Sequence, residues 1–177
     1  MLKSIHTSRL LLRPFVKADA PRVQLLASEY EIAFNTLRIP HPYELSMAEE
    51  WIAGQVKAIE EQRELTWAVV LKEDELLVGS VGLILTMAFE QAELSCWIGK
   101  PYWNRGYASE VTKAILAFGF NDLHLHRIHA YHLSRNPASG KVLQKIGMQH
   151  EGCLRQHIRK WGKFEDIDLY GILENEF

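Results

Sequence analysis

Three groups of residues in this chain have types and spacings that could do chemistry. The first runs from Glu93 through Trp97 and Ile98 to Trp103-Asn104-Arg105-Gly106-Tyr107-Ala108-Ser109-Glu110, where a strand-like pattern ends in a tight turn and passes straight into a helical one. A helix start carries unpaired N–H groups and the positive end of the dipole, so this junction suits a phosphate or diphosphate held by backbone rather than by side chains. Gly106 and Ala108 leave room for a close approach. The plainer reading is a strand-to-helix connection with a glycine in its turn. A P-loop is excluded because no Gly-Lys-Ser/Thr follows, and a dinucleotide fingerprint because its glycines are lacking.

The second group is Asn136-Pro-Ala-Ser139. The Asn136 amide can hydrogen-bond peptide-like groups of an extended ligand, and Ser139 shares a helix face with Val142, Leu143 and Ile146, so its hydroxyl is aimed at a sheet. Read structurally, Asn136 is only a cap and Ser139 satisfies a first-turn amide. The third group is His124, His126, His129 and His132. Positions 129 and 132 fall on opposite faces of a strand and cannot share one metal ion, so no metal is expected.

These groups need a scaffold, and the hydrophobic periodicity supplies one. Arg9 to Phe15 reads as a strand, Asp19 with Pro21 opens a helix, and Ile39 to Tyr43 is a proline-punctuated loop. Ser46 with Glu49 has the pattern of a capping box, ahead of a helix whose apolar face is Trp51, Ile52, Gln55, Val56 and Ile59. Thr66 to Leu71, Leu76 to Leu85 and Ala92 to Ile98 make an antiparallel meander. Val111, Ala114, Ile115 and Phe118 form one helical stripe, and Arg127 to Leu133 is the next strand. Strand, helix, strand implies a crossover with parallel strands, and a second crossover begins at Asn136. His150 to Arg159 and Phe164 to Ile172 close a mixed sheet around a Trp161-Gly162 turn. The fold class is α/β, and both candidate loops follow the carboxyl ends of parallel neighbours, where ligands of open α/β sheets collect.

Composition narrows the function. With 47% hydrophobic and 24% charged residues over 177 positions, one globular domain spanning residues 1–177 is expected. A net charge of -2 argues against nucleic acid as partner. The apolar run from Leu76 to Phe89 is interrupted and falls short of the roughly 18 residues a membrane span needs. Leu10 to Leu12 are closed off by Arg13 and Pro14, unlike a signal peptide, so the expected location is the cytoplasm. Cys96 and Cys153 form no Cys-x-x-Cys pair and read as reduced thiols. A mixed disulfide between Cys96 and a thiol cofactor is conceivable, but packing as an inert small hydrophobe is the expectation.

Taken together, Thr7-x-Arg9-Leu-x-Leu-Arg13, Ala92-Glu93 with Trp97-Ile98-Gly99, Arg105-Gly-Tyr-Ala-Ser-Glu110, Asn136-x-x-Ser139, Ile146-Gly147, Glu151-Gly-Cys-Leu-Arg155 and Asp166-x-x-x-Tyr170 resemble the GNAT superfamily of acetyl-CoA-dependent N-acetyltransferases, specifically its RimJ/RimL-type branch. The resemblance covers nearly the whole chain. It implies a GNAT-like mixed sheet flanked by helices, with a parallel strand pair splayed at an acetyl-CoA cleft. It implies cofactor contacts from Trp97, Ile98, Trp103, Asn104, Arg105, Gly106, Tyr107, Ala108, Ser109, Asn136 and Lys141, with Asn136 on pantetheine or the thioester and Ser139 as proton donor to the leaving sulfur. The sequence departs from the family in Trp103, which replaces the usual Gln or Arg, in Met148, which replaces an aromatic residue, and in His132 at a usually apolar position.

The acceptor amine must be neutral to attack a thioester. Glu93 is the expected base, since it shares a strand face with Ser95 and Trp97 where partial burial could raise its pKa; the plainer reading is a solvated strand carboxylate. Glu151 is the alternative base. A backbone amide near Trp97 would polarise the thioester oxygen. Glu44, Glu49, Glu50, Glu60, Glu61 and Glu64, against Lys57 and Arg63, either steer a basic peptide or form a solvated helix face. The resulting expectation is acetyl transfer to the amino terminus of a protein or peptide, with ribosomal proteins among the candidates. A small-molecule amine and a noncatalytic acyl-CoA-binding module stand as alternatives, and a homodimer follows by analogy only.

Overall fold

The alternating apolar stretches assemble into one eight-stranded sheet, described for residues 2–177 by a computed structural model. Its strands are β1 (Ile5–His6), β2 (Leu10–Arg13), β3 (Glu64–Leu71), β4 (Leu77–Thr86), β5 (Gln91–Ile98), β6 (Arg127–Leu133), β7 (Gln149–Lys160) and β8 (Lys163–Leu173). They lie in the order β1-β2-β3-β4-β5-β6-β8-β7. The helices are α1 (Ala20–Ala27), α2 (Tyr30–Asn35), α3 (Leu45–Glu60), α4 (Tyr107–Asn121) and α5 (Pro137–Lys145). No described helix is long and apolar enough to cross a membrane.

All neighbours are antiparallel except β5 and β6, which the α4 crossover makes parallel. Their pairing is brief. Gln91, Ala92 and Glu93 sit opposite Arg127, Ile128 and His129, and the register ends there although the strands continue to Ile98 and Leu133. The sheet therefore opens between two co-directional strands, with Glu93 and His129 as the last pair before the gap.

Helices cover both faces. Val111, Ile115 and Leu116 of α4 and Leu143 and Ile146 at the end of α5 join a core with Trp67, Leu83, Leu94 and Ile128, while Val23, Leu26, Ala48 and Ile52 of α1 and α3 pack with Ala68, Val70 and Leu77. The stripe expected on α4 is found: Val111 and Ile115 are fully buried, and Ala114 and Phe118 pack at the margin of the core.

Elsewhere the local expectations need correction. The Ser46–Glu49 capping box does not form; α3 begins at Leu45 after Glu44, with no side-chain cap. Val56 is 63% exposed, because the buried stripe of α3 runs through Ala48, Ile52, Gln55 and Ala58 instead. Asp19 precedes α1, but its carboxylate is spent on Arg13 and on the Val16 amide rather than on the helix. Helix α2 carried no clear periodic signal. His132 is buried against α5, its Nδ1 2.8 Å from the Leu133 carbonyl oxygen. The helix can approach it because residue 140 is glycine: a Cβ there would lie 2.7 Å from His132 Nε2.

Candidate active site

The C-terminal end of β5 leads through a 3₁₀ turn (Lys100–Tyr102) to the start of α4. Two left-handed residues make the bend, Asn104 at φ 61° and Gly106 at φ 78°. A glycine is favoured at the second because side chains are strained there. The first helical bond recorded at this end is from the Glu110 amide to the Gly106 carbonyl, so among the described residues the amides of 104–109 have no carbonyl partner. They lie at the positive end of a 15-residue helix, on an exposed to half-exposed loop. This donor set fits a diphosphate. Trp103 turns back, its indole Nε1 donating to the Ile98 carbonyl at 2.6 Å, and the Arg105 guanidinium lies 5.6 Å from the centre of the Tyr102 ring.

The loop is clasped from the chain's opposite side. Glu110, in the first turn of α4, accepts from Thr7 Oγ1 at 2.7 Å, from the Arg9 amide at 2.8 Å and from Arg9 Nε at 2.7 Å. Arg9 also donates to the Arg105 carbonyl at 2.9 Å and rests 4.6 Å above the Tyr107 ring. Burial alone would raise the Glu110 pKa, but the bonds from Thr7 and Arg9 outweigh it and hold the carboxylate below its usual range. Its negative charge at the helix start is thereby matched by a guanidinium. Thr7 and Arg9 were legible as motif residues; their contact with a turn about a hundred positions away was not.

At the apex of the gap, Glu93 is half-buried, with its side chain 15% exposed. Burial raises its pKa, the nearby Glu64 adds to this, and Arg38 offsets only part. Arg38 Nη2 lies 2.9 and 3.1 Å from the two carboxylate oxygens. Across the gap, His129 Nε2 is 3.1 Å from Tyr131 Oη, and His129 Nδ1 is buried without a partner. Burial first, then the charge of Arg127, lowers the His129 pKa and favours the neutral ring. Burial raises Tyr131, and the charge of Glu93 adds to it.

Asn136 and Ser139 stand beyond the open end of β6. Asn136 caps α5, its Oδ1 accepting from the Ser139 amide at 3.4 Å, and its Nδ2 contacts the Asn35 carbonyl at 3.4 Å. Ser139 is half-buried in the first turn, while Lys141 is exposed. Trp97 is half-buried and Ile98 buried at the end of β5. The expected residues thus gather around one gap: Glu93 at its apex, Trp97 and Ile98 along one edge, 103–109 and 136–141 at its open end.

The alternative base fails. Glu151 lies on β7, which β8 separates from β6, so its strand does not border the gap; it is bound to Arg127, whose hydrogen bonds pull its pKa down. Cys96 packs against the α4-side core in the manner of a small hydrophobe, and burial pushes its thiol up to about 12, which disfavours the mixed disulfide. Sequence reasoning also missed Arg38 and Tyr131. For Tyr131 a signal existed, two positions beyond His129 on the same strand face; for Arg38, in an irregular loop, there was none.

Against known proteins, a sequence profile described as an acetyltransferase (GNAT) domain matches residues 9–149. The chain is similar to an uncharacterized N-acetyltransferase of Bacillus subtilis strain 168, YnaD, at 34% identity over 175 residues and 98% of each chain. It superposes on the crystal structure of a GNAT-family acetyltransferase from Bacillus anthracis with TM-score 0.88 at 28% identity, over 98% of this chain and 100% of that one. RimL, a ribosomal L7/L12 α-N-protein acetyltransferase solved with coenzyme A, shares the fold with TM-score 0.89 at 14% identity, over 97% and 98% of the two chains.

Proposed function

This chain belongs to the GNAT family of acetyltransferases, and from that premise we propose that its acceptor is the N-terminal α-amino group of a protein or peptide, with ribosomal proteins among the candidates. The donor is acetyl-CoA. The observation that carries the reading is the interrupted pairing of β5 and β6, with a half-buried carboxylate where the strands diverge and unpaired helix-start amides at the far end.

The amides of 104–109 would hold the diphosphate, Trp97 and Ile98 would line the pantetheine arm, and Asn136 and Lys141 would meet it from α5. When bound, the thioester supplies an electrophilic carbonyl carbon and a sulfur leaving group. Glu93, whose pKa burial raises toward that of the amine it serves, takes the proton that the ammonium must lose before its nitrogen can attack. A C–N bond then forms as the C–S bond breaks; the Ser139 hydroxyl donates a proton to the departing sulfur and is restored by the second proton, which the acetylated nitrogen loses, so the net transfer is from nitrogen to sulfur. No enzyme nucleophile is needed.

The choice of an α-amino acceptor follows from proton energetics. An α-amino group, with a pKa of about 7.8, is roughly one unit from neutrality at pH 7, whereas lysine at about 10.4 is more than three, on the order of 4 to 5 kcal/mol. A single carboxylate is base enough for the first. Release of free thiol from acetyl-CoA, followed with peptides whose amino termini are open or blocked, tests the reading. Turnover is expected only with open termini. Glu93→Gln and Ser139→Ala should each lose about a hundredfold in kcat, the lower range for acid–base catalysis, while binding CoA normally. Equal rates in the variants, or acetylation confined to amines that are not peptides, would overturn it.

A further inference from the structure

Arg38 occupies the one carboxylate that the acceptor amine has to reach. Its guanidinium, 62% exposed, faces both oxygens of Glu93, whose own side chain is largely covered. An incoming ammonium therefore meets a cation already seated at its destination, in a half-buried site where like charges repel more strongly than in water. Glu93 cannot satisfy both. We propose that the acceptor resolves this conflict itself, by carrying a carboxylate beside the amine to be acetylated, and that Arg38 is the residue that recognises it.

On binding, two ion pairs replace one: the amine takes Glu93, and Arg38 turns its fork to the acceptor's carboxylate, a group it can engage through two parallel hydrogen bonds. A polyamine would supply the first partner and leave Arg38 displaced beside a second cation. The acceptor class is thus a protein or peptide whose first residue is acidic, through its side-chain carboxylate; a free α-amino acid, which would engage Arg38 through its α-carboxylate, is the competing occupant that the test separates.

The surroundings hold Arg38 for such a role. Lys160 Nζ donates to the carbonyl of Thr36 at 2.8 Å and to that of Ile39 at 3.3 Å, the two residues that bracket Arg38 closely in the chain. Arg135 donates to the Phe34 carbonyl at 2.8 Å, at the end of the helix that leads into this loop. Tyr30 stacks on Trp161 with ring centres 5.5 Å apart, fastening α2 to the β7–β8 turn. The loop is therefore braced at both ends of the segment that presents the guanidinium, while the guanidinium itself has only Glu93 as an ion-pair partner among the described residues. Arg135 and Lys160 also bring positive charge to the underside of this loop, offset in part by Glu165, which pairs with Arg135 at 3.5 Å.

This inference rests on Glu93 as the base, and the experiment separates the two. The intact protein is assayed with acetyl-CoA and matched acceptors: a peptide beginning with aspartate against one beginning with asparagine, and free glutamate against glutamic acid α-amide. The first pair reads a side-chain carboxylate and the second an α-carboxylate. Wild type should prefer the aspartate peptide to the asparagine peptide by about tenfold in kcat/KM, and Arg38→Gln should bring that ratio to within about threefold of unity, the scale of one charged hydrogen-bonding contact. Because both members of a pair use the same base, a change in Glu93 cancels from the ratio. No preference within the peptide pair in wild type, or a preference that survives Arg38→Gln while Glu93→Gln is inactive, overturns the proposal alone; turnover with neither peptide, or turnover confined to free glutamate, overturns the peptide acceptor and this proposal with it. Full activity of Glu93→Gln overturns the base assignment and this proposal with it.

Discussion

Glu93 is where a side chain's surroundings decide its chemistry. As the base it must be deprotonated to act, and burial has moved its pKa upward, so the rise of kcat with pH should be centred above the range of an ordinary glutamate. Arg38 partly opposes that shift. Removing the guanidinium in Arg38→Gln should therefore move the rising limb to still higher pH, whereas an unmoved limb would mean that Glu93 is not the group being titrated. A pH profile of kcat with an acceptor whose amine stays protonated across the range, so that turnover requires the base, reads this directly. The sequence alone singled out Glu93, because its strand face and its place ahead of the loop are set by a two-residue period. It could not separate Glu93 from Glu151. That distinction needed the strand order, which sets β8 between Glu151 and the gap.

At the scale of elements, the start of α4 was legible from Arg105-Gly-x-Ala before any fold was known, because the junction of strand and helix leaves amides unpaired whatever the rest of the chain does. The clasp that steadies it was not legible, since Thr7 and Arg9 reach Glu110 only through packing. Glu110→Gln keeps the side chain's shape and weakens its bonds to Arg9, which should loosen the loop and leave Arg9 less well held. The expected result is KM for acetyl-CoA raised by about tenfold with kcat little changed, the scale of one charged hydrogen bond. A loss confined to kcat, or a general drop in thermal stability with KM intact, would assign the clasp to other work. The apolar stripe of α4 and the Asn136 cap of α5 were equally legible, each being set within a turn or two of helix. The start of α3 was misread for the opposite reason: a capping box is a local possibility that the chain takes only if its entry angle permits, and here Glu44 precedes the helix instead.

For the whole molecule, the gap between β5 and β6 ties ligand binding to stability. A co-substrate held by the folded state alone, present at a hundred times its Kd, adds about 2.7 kcal/mol to the unfolding free energy. For a chain of this size that raises Tm by about 5 to 10 °C. Thermal melts with and without CoA should show the shift, and an unchanged Tm at saturating CoA would remove the cleft from the account. The sequence by itself determined the α/β class, the strands, and the buried faces of β5 and α4, because these depend on spacings of two to four residues and on local backbone preferences. It left α2 unmarked and misplaced Val56 on the buried face of α3. Only the tertiary structure decided that β5 and β6 part after Glu93, that β7 lies outside the gap, that Thr7 and Arg9 clasp a distant turn and that Arg38 meets Glu93. Those contacts depend on register and packing between segments far apart in the chain, which no short-range pattern encodes.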